Sequence, residues 1–157
     1  MKEQGADVTA GAVIKRLDEQ HSKYRFMELN LVGKKRRLKR QIPDIRSSLD
    51  MLKLIRARKE AEQEMQTNFL LSDEVYMTAI VPPTDRICLW LGANVMLEYD
   101  LDEAEQLLQR NSDAAERNLA QVDVDLDYLR DQITTTEVNM ARVYNWDVKR
   151  RQSGKKE

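Results

Sequence analysis

The sequence predicts a mainly α-helical chain, in which two long helices pair as an antiparallel coiled coil and are joined by two central β-hairpins. Apolar residues recur every seven positions early in the 157-residue chain, short turn-bounded apolar segments occupy its middle, and a second seven-residue repeat follows. With 34% charged and only 6% aromatic residues, the chain has little material for a thick globular core. Composition therefore favours one elongated domain.

The first helix is predicted over residues 9–66, after a polar segment, residues 1–8, that we expect to be disordered. Thr9 is a suitable N-cap. The unbroken heptad row gives the d positions, which are Leu17, Tyr24, Leu31, Leu38, Ile45 and Leu52. The a positions are Ile14, His21, Glu28, Lys35, Ile42 and Leu49. Gly33 and Pro43 interrupt this helix and predict either a kink that packing tolerates or a point at which the helix bends.

Residues 67–99 are predicted to form two β-hairpins, because their apolar residues are β-branched or aromatic and lie in short runs. The four strands are 69–71, 75–81, 86–91 and 95–99, and Pro82 with Pro83 keeps the two hairpins apart. The third strand is apolar without alternation, which predicts burial on both faces and makes Cys88 a small buried residue. Four short strands cannot bury both faces alone, so another subunit is expected to cover them.

The second helix is predicted over residues 100–150, with a tail from 151 to 157. Asp100 and Glu103 have the spacing of a capping box at its start. Its d positions are Leu108, Ala115, Val122, Leu129, Thr136 and Val143, and its a positions are Leu119, Leu126, Ile133 and Met140.

The two heptad patterns predict an antiparallel alignment in which the residue numbers of facing pairs add up to about 164. The predicted pairs are Leu38 with Leu126, Ile42 with Val122, Ile45 with Leu119, Leu49 with Ala115, Leu31 with Ile133, and Tyr24 with Met140. The same alignment sets the basic run at 34–40 against the acidic run at 123–131, which favours charge pairing between the helices.

The basic run KKRRLKR could instead be a nuclear import signal or a nucleic-acid patch. The facing acidic run, the net charge of -1 and the lack of nearby aromatic residues favour pairing within the chain. The single histidine, His21, and the single cysteine leave no catalytic pair, disulfide or metal cluster, and no phosphate-binding loop is present. We therefore expect a non-enzymatic protein without a cofactor, in the cytoplasm and alternatively also in the nucleus.

Apolar residues are in excess where the first helix begins and the second ends. Three of them, Phe26, Leu29 and Val32, lie outside the a and d positions, so this end is either a binding surface or a region of further packing. The predicted binding residues at the tip are Val13, Ile14, Leu17, Tyr24, Val143, Tyr144, Trp146 and Val148.

The order helix, two hairpins, helix and the segments VPPTDRICLWLGANVMLEYDLDEA and TTTEVNMARVYNWDVKRR resemble the α class of prefoldin subunits, over about residues 13–151. The resemblance implies that two α-class and four β-class subunits join their hairpins into a double β-barrel. Such a complex captures unfolded actin and tubulin at its coiled-coil tips without ATP and passes them to the cytosolic chaperonin. The implied assembly residues are Phe69, Leu71, Val75, Met77, Ile80, Ile87, Leu89, Leu91, Val95 and Leu97.

Two other functions remain open from the sequence. The coiled coil could be a scaffold or adaptor that binds folded partners, including ubiquitin-ligase or nuclear factors. A nucleic-acid-binding coiled coil is disfavoured by the net charge of -1.

Overall fold

The computed structural model describes residues 9–153, so the predictions for residues 1–8 and for the end of the tail lie outside the described residues. Its elements in chain order are α1 (Ala10–Glu60), β1 (Met65–Ser72), β2 (Val75–Val81), β3 (Arg86–Gly92), β4 (Val95–Asp100) and α2 (Leu101–Ser153). This order confirms the predicted fold class of two long helices with two hairpins between them. The chain divides into a hairpin unit, Leu38–Asn118, and a helical unit formed by the residues up to Arg37 and from Leu119 onward.

Helix α1 begins where Thr9 caps it, with the backbone N–H of Ala12 donating to Thr9 Oγ1 at 3.3 Å. The helix continues through Pro43 and ends at Glu60, although the sequence placed its end near residue 66. Glu62 adopts a left-handed conformation, with φ of 51°, and the N–H of Gln63 donates to the carbonyl of Arg58 at 3.0 Å. This is a Schellman motif, and the sequence gives little sign of it because its left-handed position holds Glu instead of Gly.

The strands pair as two separate antiparallel hairpins, β1 with β2 and β3 with β4, as predicted. Phe69 lies opposite Met77 in the first, and Leu89 opposite Leu97 in the second. The second turn has positive φ values at Gly92, Ala93 and Asn94, which are typical of a tight hairpin turn.

The core of the hairpin unit lies where α1 ends and α2 begins. Leu52, Leu101 and Ala104 are buried there, and Ile87 and Leu89 of β3 pack against them. Cys88 is exposed, so its predicted burial is wrong for this chain by itself. The reason is that β3 turns one face, with Ile87 and Leu89, towards the helices and leaves the other face, with Cys88, uncovered.

All of the predicted a and d positions are buried or half-buried in both helices. In α2 every d position from Leu108 to Val143 is at least half-buried, and Val122 is 1% exposed. The polar a positions His21, Glu28 and Lys35 are half-buried as well. Heptad spacing therefore identified which face of each helix is covered.

The predicted alignment of the helices is wrong by one heptad. In the helical unit, His21 pairs with Glu137 at 2.9 Å and Lys35 with Asp123 at 2.6 Å. In the hairpin unit, Arg56 pairs with Asp102 at 2.7 Å. In each pair, the α1 residue occupies an a position and the α2 residue comes directly after a d position. Successive pairs are separated by a whole number of heptads along both helices.

This spacing sets Leu49 against Leu108 instead of Ala115, Leu31 against Leu126 instead of Ile133, and Tyr24 against Ile133 instead of Met140. The packing of Leu52 with Leu101 and Ala104 agrees with it, because the predicted alignment would separate Leu52 from Leu101 by about 16 Å along the helix axes.

Fewer residues of the basic run pair with α2 than predicted. Lys35 is the residue of the basic run that has a carboxylate partner within 4.0 Å among residues 9–153. On the acidic side, Asp127 pairs with Arg130 of its own helix at 3.0 Å. The remaining cations of the run are exposed.

Candidate assembly and binding surfaces

The β1–β2 hairpin has one largely apolar face. Residues that face each other in the ladder share a side of the sheet, so Met65, Phe69, Met77 and Val81 lie together. Met65 and Val81 are half-buried, whereas Phe69 and Met77, nearer the turn, are exposed. The hairpin therefore presents an uncovered apolar surface towards its turn.

The β3–β4 hairpin repeats this arrangement. One face carries Ile87, Leu89, Leu97 and Tyr99. All of these except Leu97 pack against the helical core. Leu97 is 48% exposed. This apolar face is thus anchored on the core at one end and open at the turn end.

The opposite face of the β3–β4 hairpin is polar at its base and apolar at its turn. Arg86 Nη1 pairs with Glu98 at 2.9 Å, and Arg86 Nε donates to Asp100 Oδ1 at 3.2 Å. The hydrogen bond with Asp100 and the charge of Glu98 raise the pKa of Arg86 above its ordinary value. Nearer the turn, Trp90 and Met96 face each other and are exposed.

Eight of the ten predicted assembly residues are exposed in this chain, and the other two, Ile87 and Leu89, pack against its own helical core. Ile80 lies on the face opposite to Phe69 and Met77. The prediction omitted four exposed apolar residues on the second faces of the hairpins, which alternation along the strands could have identified: Leu70, Tyr76, Trp90 and Met96.

Isolated two-stranded hairpins are at best marginally stable in water. Neighbouring exposed apolar residues, such as those on both hairpins, mark an interaction site.

The predicted tip residues lie in the helical unit, around the beginning of α1 and the end of α2. Tyr144 and Trp146 are exposed, and the other six are half-buried. The alignment shown by His21 and Glu137, continued along both helices, sets Ile14 level with Val143, and both are predicted tip residues. Among the eight predicted tip residues, the exposed ones are therefore two aromatic side chains of α2.

A buried carboxylate beside these aromatics was not predicted. Asp147 occupies an a position of α2 and is 7% exposed. Its oxygens pair with Arg151 at 2.6 Å and Arg150 at 3.4 Å, and the Arg150 guanidinium lies 5.0 Å from the centre of the Trp146 ring. Because Arg150 and Arg151 pair with Asp147 and Arg150 lies beside the Trp146 ring, the exposed surface at this end combines aromatic and basic groups.

Two further classes of site were searched for in residues 9–153. No group of His, Cys, Asp and Glu side chains in that range could hold a metal ion. Within the same range, no helix is both long and apolar enough to cross a membrane.

Two long helices joined by two hairpins with exposed apolar faces define a class of chain suited to assembly through its β-structure. The Prefoldin subunit family matches residues 24–146. Prefoldin subunit 3 of mouse and of human are each 62% identical to the chain over 151 residues, covering 96% of it and 76% of the relative. Prefoldin subunit 3 of Drosophila melanogaster is 60% identical over 144 residues, 92% of this chain and 73% of that protein.

The fold is similar to that of a filamentous prefoldin chain from Methanocaldococcus jannaschii, with a TM-score of 0.60 and 17% identity, covering 78% of this chain and 98% of that one. The chain therefore belongs to the prefoldin family of chaperone subunits. Within the family it closely resembles eukaryotic prefoldin subunit 3, and its partners are other prefoldin subunits.

Proposed function

We propose that this chain is an α-class subunit of a heterohexamer that captures unfolded actin and tubulin without ATP and passes them to the cytosolic chaperonin. Two α-class and four β-class subunits form the complex, which acts in the cytoplasm and alternatively also in the nucleus. No step involves catalysis or a bound cofactor. The resemblance to prefoldin subunit 3 supports the assembly part of this proposal.

The observation that carries client capture is the pair of exposed aromatic side chains beside the half-buried residues of the tip. Tyr144 is 62% exposed, and Trp146 lies two residues further along α2. Aromatic side chains offer a large contact area to apolar segments of an unfolded chain without demanding a particular sequence. A single such contact is weak, but several subunits acting on one client raise the effective concentration of binding groups.

The test uses the hexamer reconstituted with its partner subunits and actin diluted from denaturant. Light scattering measures aggregation without nucleotide, and a native gel follows transfer of labelled actin to the chaperonin. We expect the hexamer to suppress aggregation and Tyr144→Ser with Trp146→Ser to weaken this suppression while the hexamer stays intact.

Tyr128→Ser is the matched control, because Tyr128 is also an exposed aromatic residue of α2, at 60%, but lies away from the tip. An equal loss with Tyr128→Ser would contradict the location of the site. Failure of the unmodified hexamer to protect actin would contradict the proposed function itself.

A further inference from the structure

The outward side of α1 in the helical unit carries a second stripe, separate from its a and d positions. Phe26, Leu29, Gly33, Arg36 and Arg37 follow one another at helical spacing and therefore lie on one side of the helix. All five are exposed, including Phe26 at 66% and Leu29 at 71%. We name these five residues the outer stripe. It covers about 16 Å along the helix axis.

The apolar half of the outer stripe has no role within the described chain. Helices that pair through one face normally expose polar residues on the other, and two large apolar side chains one turn apart depart from that pattern. The tip proposed above for client capture uses other residues, which lie at the beginning of α1 and the end of α2.

Gly33 is the second observation. A glycine inside an exposed helix is less favourable than alanine, so it is expected where something needs the space. Apart from the surrounding turns of α1 itself, no atom of residues 9–153 lies within 4 Å of a Cβ placed on Gly33. No close contact in the described residues therefore requires the glycine, whereas a second helix crossing the outer stripe at this point could approach the α1 backbone closely.

Charge is the third observation. Arg36 and Arg37 have no carboxylate within 4.0 Å in the part of the chain from residue 9 to residue 153, although the neighbouring Lys35 is paired with Asp123. Lys34, Lys39 and Arg40 of the same basic run also lack a carboxylate partner within that range, whereas Arg25 and Arg46 on either side of the run are paired. The unneutralised cations therefore follow directly after the apolar half of the stripe, and an anionic group would complement them.

We propose that the outer stripe is a docking site for an acidic amphipathic helix of a partner protein. Its apolar side chains contact Phe26 and Leu29, its backbone passes over Gly33, and its carboxylates pair with Arg36 and Arg37, whose guanidinium groups bind carboxylates in a bidentate manner. An anionic membrane surface fits less well, because two apolar side chains offer little to insert and a notch at Gly33 does not assist insertion. This docking is independent of client capture.

The test uses the full chain in its hexamer and a fluorescein-labelled designed peptide of about 20 residues, long enough to be helical. Leucines stand at i, i+3 and i+7, and glutamates flank them; a second peptide carries lysines in place of the glutamates. Fluorescence anisotropy should show binding of the glutamate peptide, which weakens as salt is raised, and much weaker binding of the lysine peptide.

Phe26→Ser with Leu29→Ser, and separately Arg36→Glu with Arg37→Glu, should each raise the Kd for the glutamate peptide about tenfold or more. Gly33→Gln should raise it too. The matched controls are Val138→Ser, an exposed apolar position of α2, and Arg117→Glu, an exposed cation of α2, and both should leave the Kd unchanged. Thermal unfolding of each variant hexamer verifies that it is folded.

Equal affinity for the two peptides, or an unchanged Kd in the stripe variants, would overturn the proposal. So would binding of phosphatidylserine vesicles or single-stranded RNA that is lost in those variants while the peptide does not bind. Client protection by the stripe variants should stay normal, so failure of the docking site and failure of the proposed chaperone function are distinguishable.

Discussion

Lys35 Nζ lies 2.6 Å from Asp123 Oδ1, and this ion pair shows how the two helices of the helical unit are aligned. At this distance the ammonium group and the carboxylate are in direct contact across the two helices. His21 and Glu137 repeat the relationship two heptads away along both helices. A shift of one heptad would move the partners of each pair apart by about 10 Å along the axis.

The first prediction tests this alignment with paired cysteines in a Cys88→Ser background. Leu31→Cys with Leu126→Cys should form a disulfide readily on mild oxidation, because the observed alignment places these residues in one layer of the helix pair. Leu31→Cys with Ile133→Cys, which the sequence alone favoured, should crosslink poorly. Non-reducing gel electrophoresis of the assembled complex measures both.

Leu49 provides an independent comparison in the hairpin unit. Leu49→Cys should couple to Leu108→Cys in preference to Ala115→Cys. Preferential crosslinking of Leu31 to residue 133 and of Leu49 to residue 115 would show that the helices are aligned as the heptads alone suggested.

The error in the alignment has a specific physical origin. Heptad spacing determines which face of a helix is buried, but it repeats every seven residues and so leaves the alignment ambiguous by whole heptads. The facing basic and acidic runs were taken to resolve the ambiguity, but they do not, because Lys35 is the residue of the basic run that has a carboxylate partner in residues 9–153. Single pairs such as Lys35 with Asp123 fix the alignment, and heptad spacing does not show which charged residues will form them.

In the hairpins, too, the local sequence pattern predicts the strands and turns, whereas tertiary packing determines which residues are buried. Pro82 and Pro83 and the turn at Ala93 and Asn94 were sufficient to predict two separate hairpins. The exposure of Cys88 was not predictable, since the uninterrupted apolar run of β3 does not show that one face meets the chain's own helices and the other is left uncovered by them.

The second prediction concerns the core that joins the helices to β3. Leu52→Ala removes a side chain that is 3% exposed and packs with Leu101 and Ala104, so it should lower the free energy of unfolding by about 2–5 kcal/mol. Urea unfolding of the assembled complex, followed by circular dichroism, measures the loss. Met51→Ala, at the neighbouring exposed position, should change it by less than about 0.5 kcal/mol. Similar losses in both variants would mean that Leu52 is not in a packed core.

The third prediction separates the contribution of Lys35 and Asp123 from that of apolar packing. Both side chains are partly exposed, 34% and 47%, so solvent screens the pair. A double-mutant cycle with Lys35→Ala and Asp123→Asn should give a coupling free energy of about 0.2–1 kcal/mol, which decreases as salt is raised. A coupling as large as the effect of Leu52→Ala would mean that the ion pair, rather than the apolar layers, stabilises the observed alignment.

The fourth prediction tests whether one face of the β3–β4 hairpin carries assembly. Leu97→Ser places a hydroxyl on the apolar face that begins at the helical core. Because burying an unpaired hydroxyl at an apolar interface costs free energy, hexamer formation with the partner prefoldin subunits should be strongly reduced. Met96→Ser changes the adjacent residue on the other face, which is 54% exposed compared with 48% for Leu97, and should reduce assembly less. Native mass spectrometry of the mixed subunits gives the fraction of hexamer in each case. A larger loss with Met96→Ser would place the assembly interface on the face that carries Trp90 instead, because Met96 and Trp90 are opposite each other in the ladder.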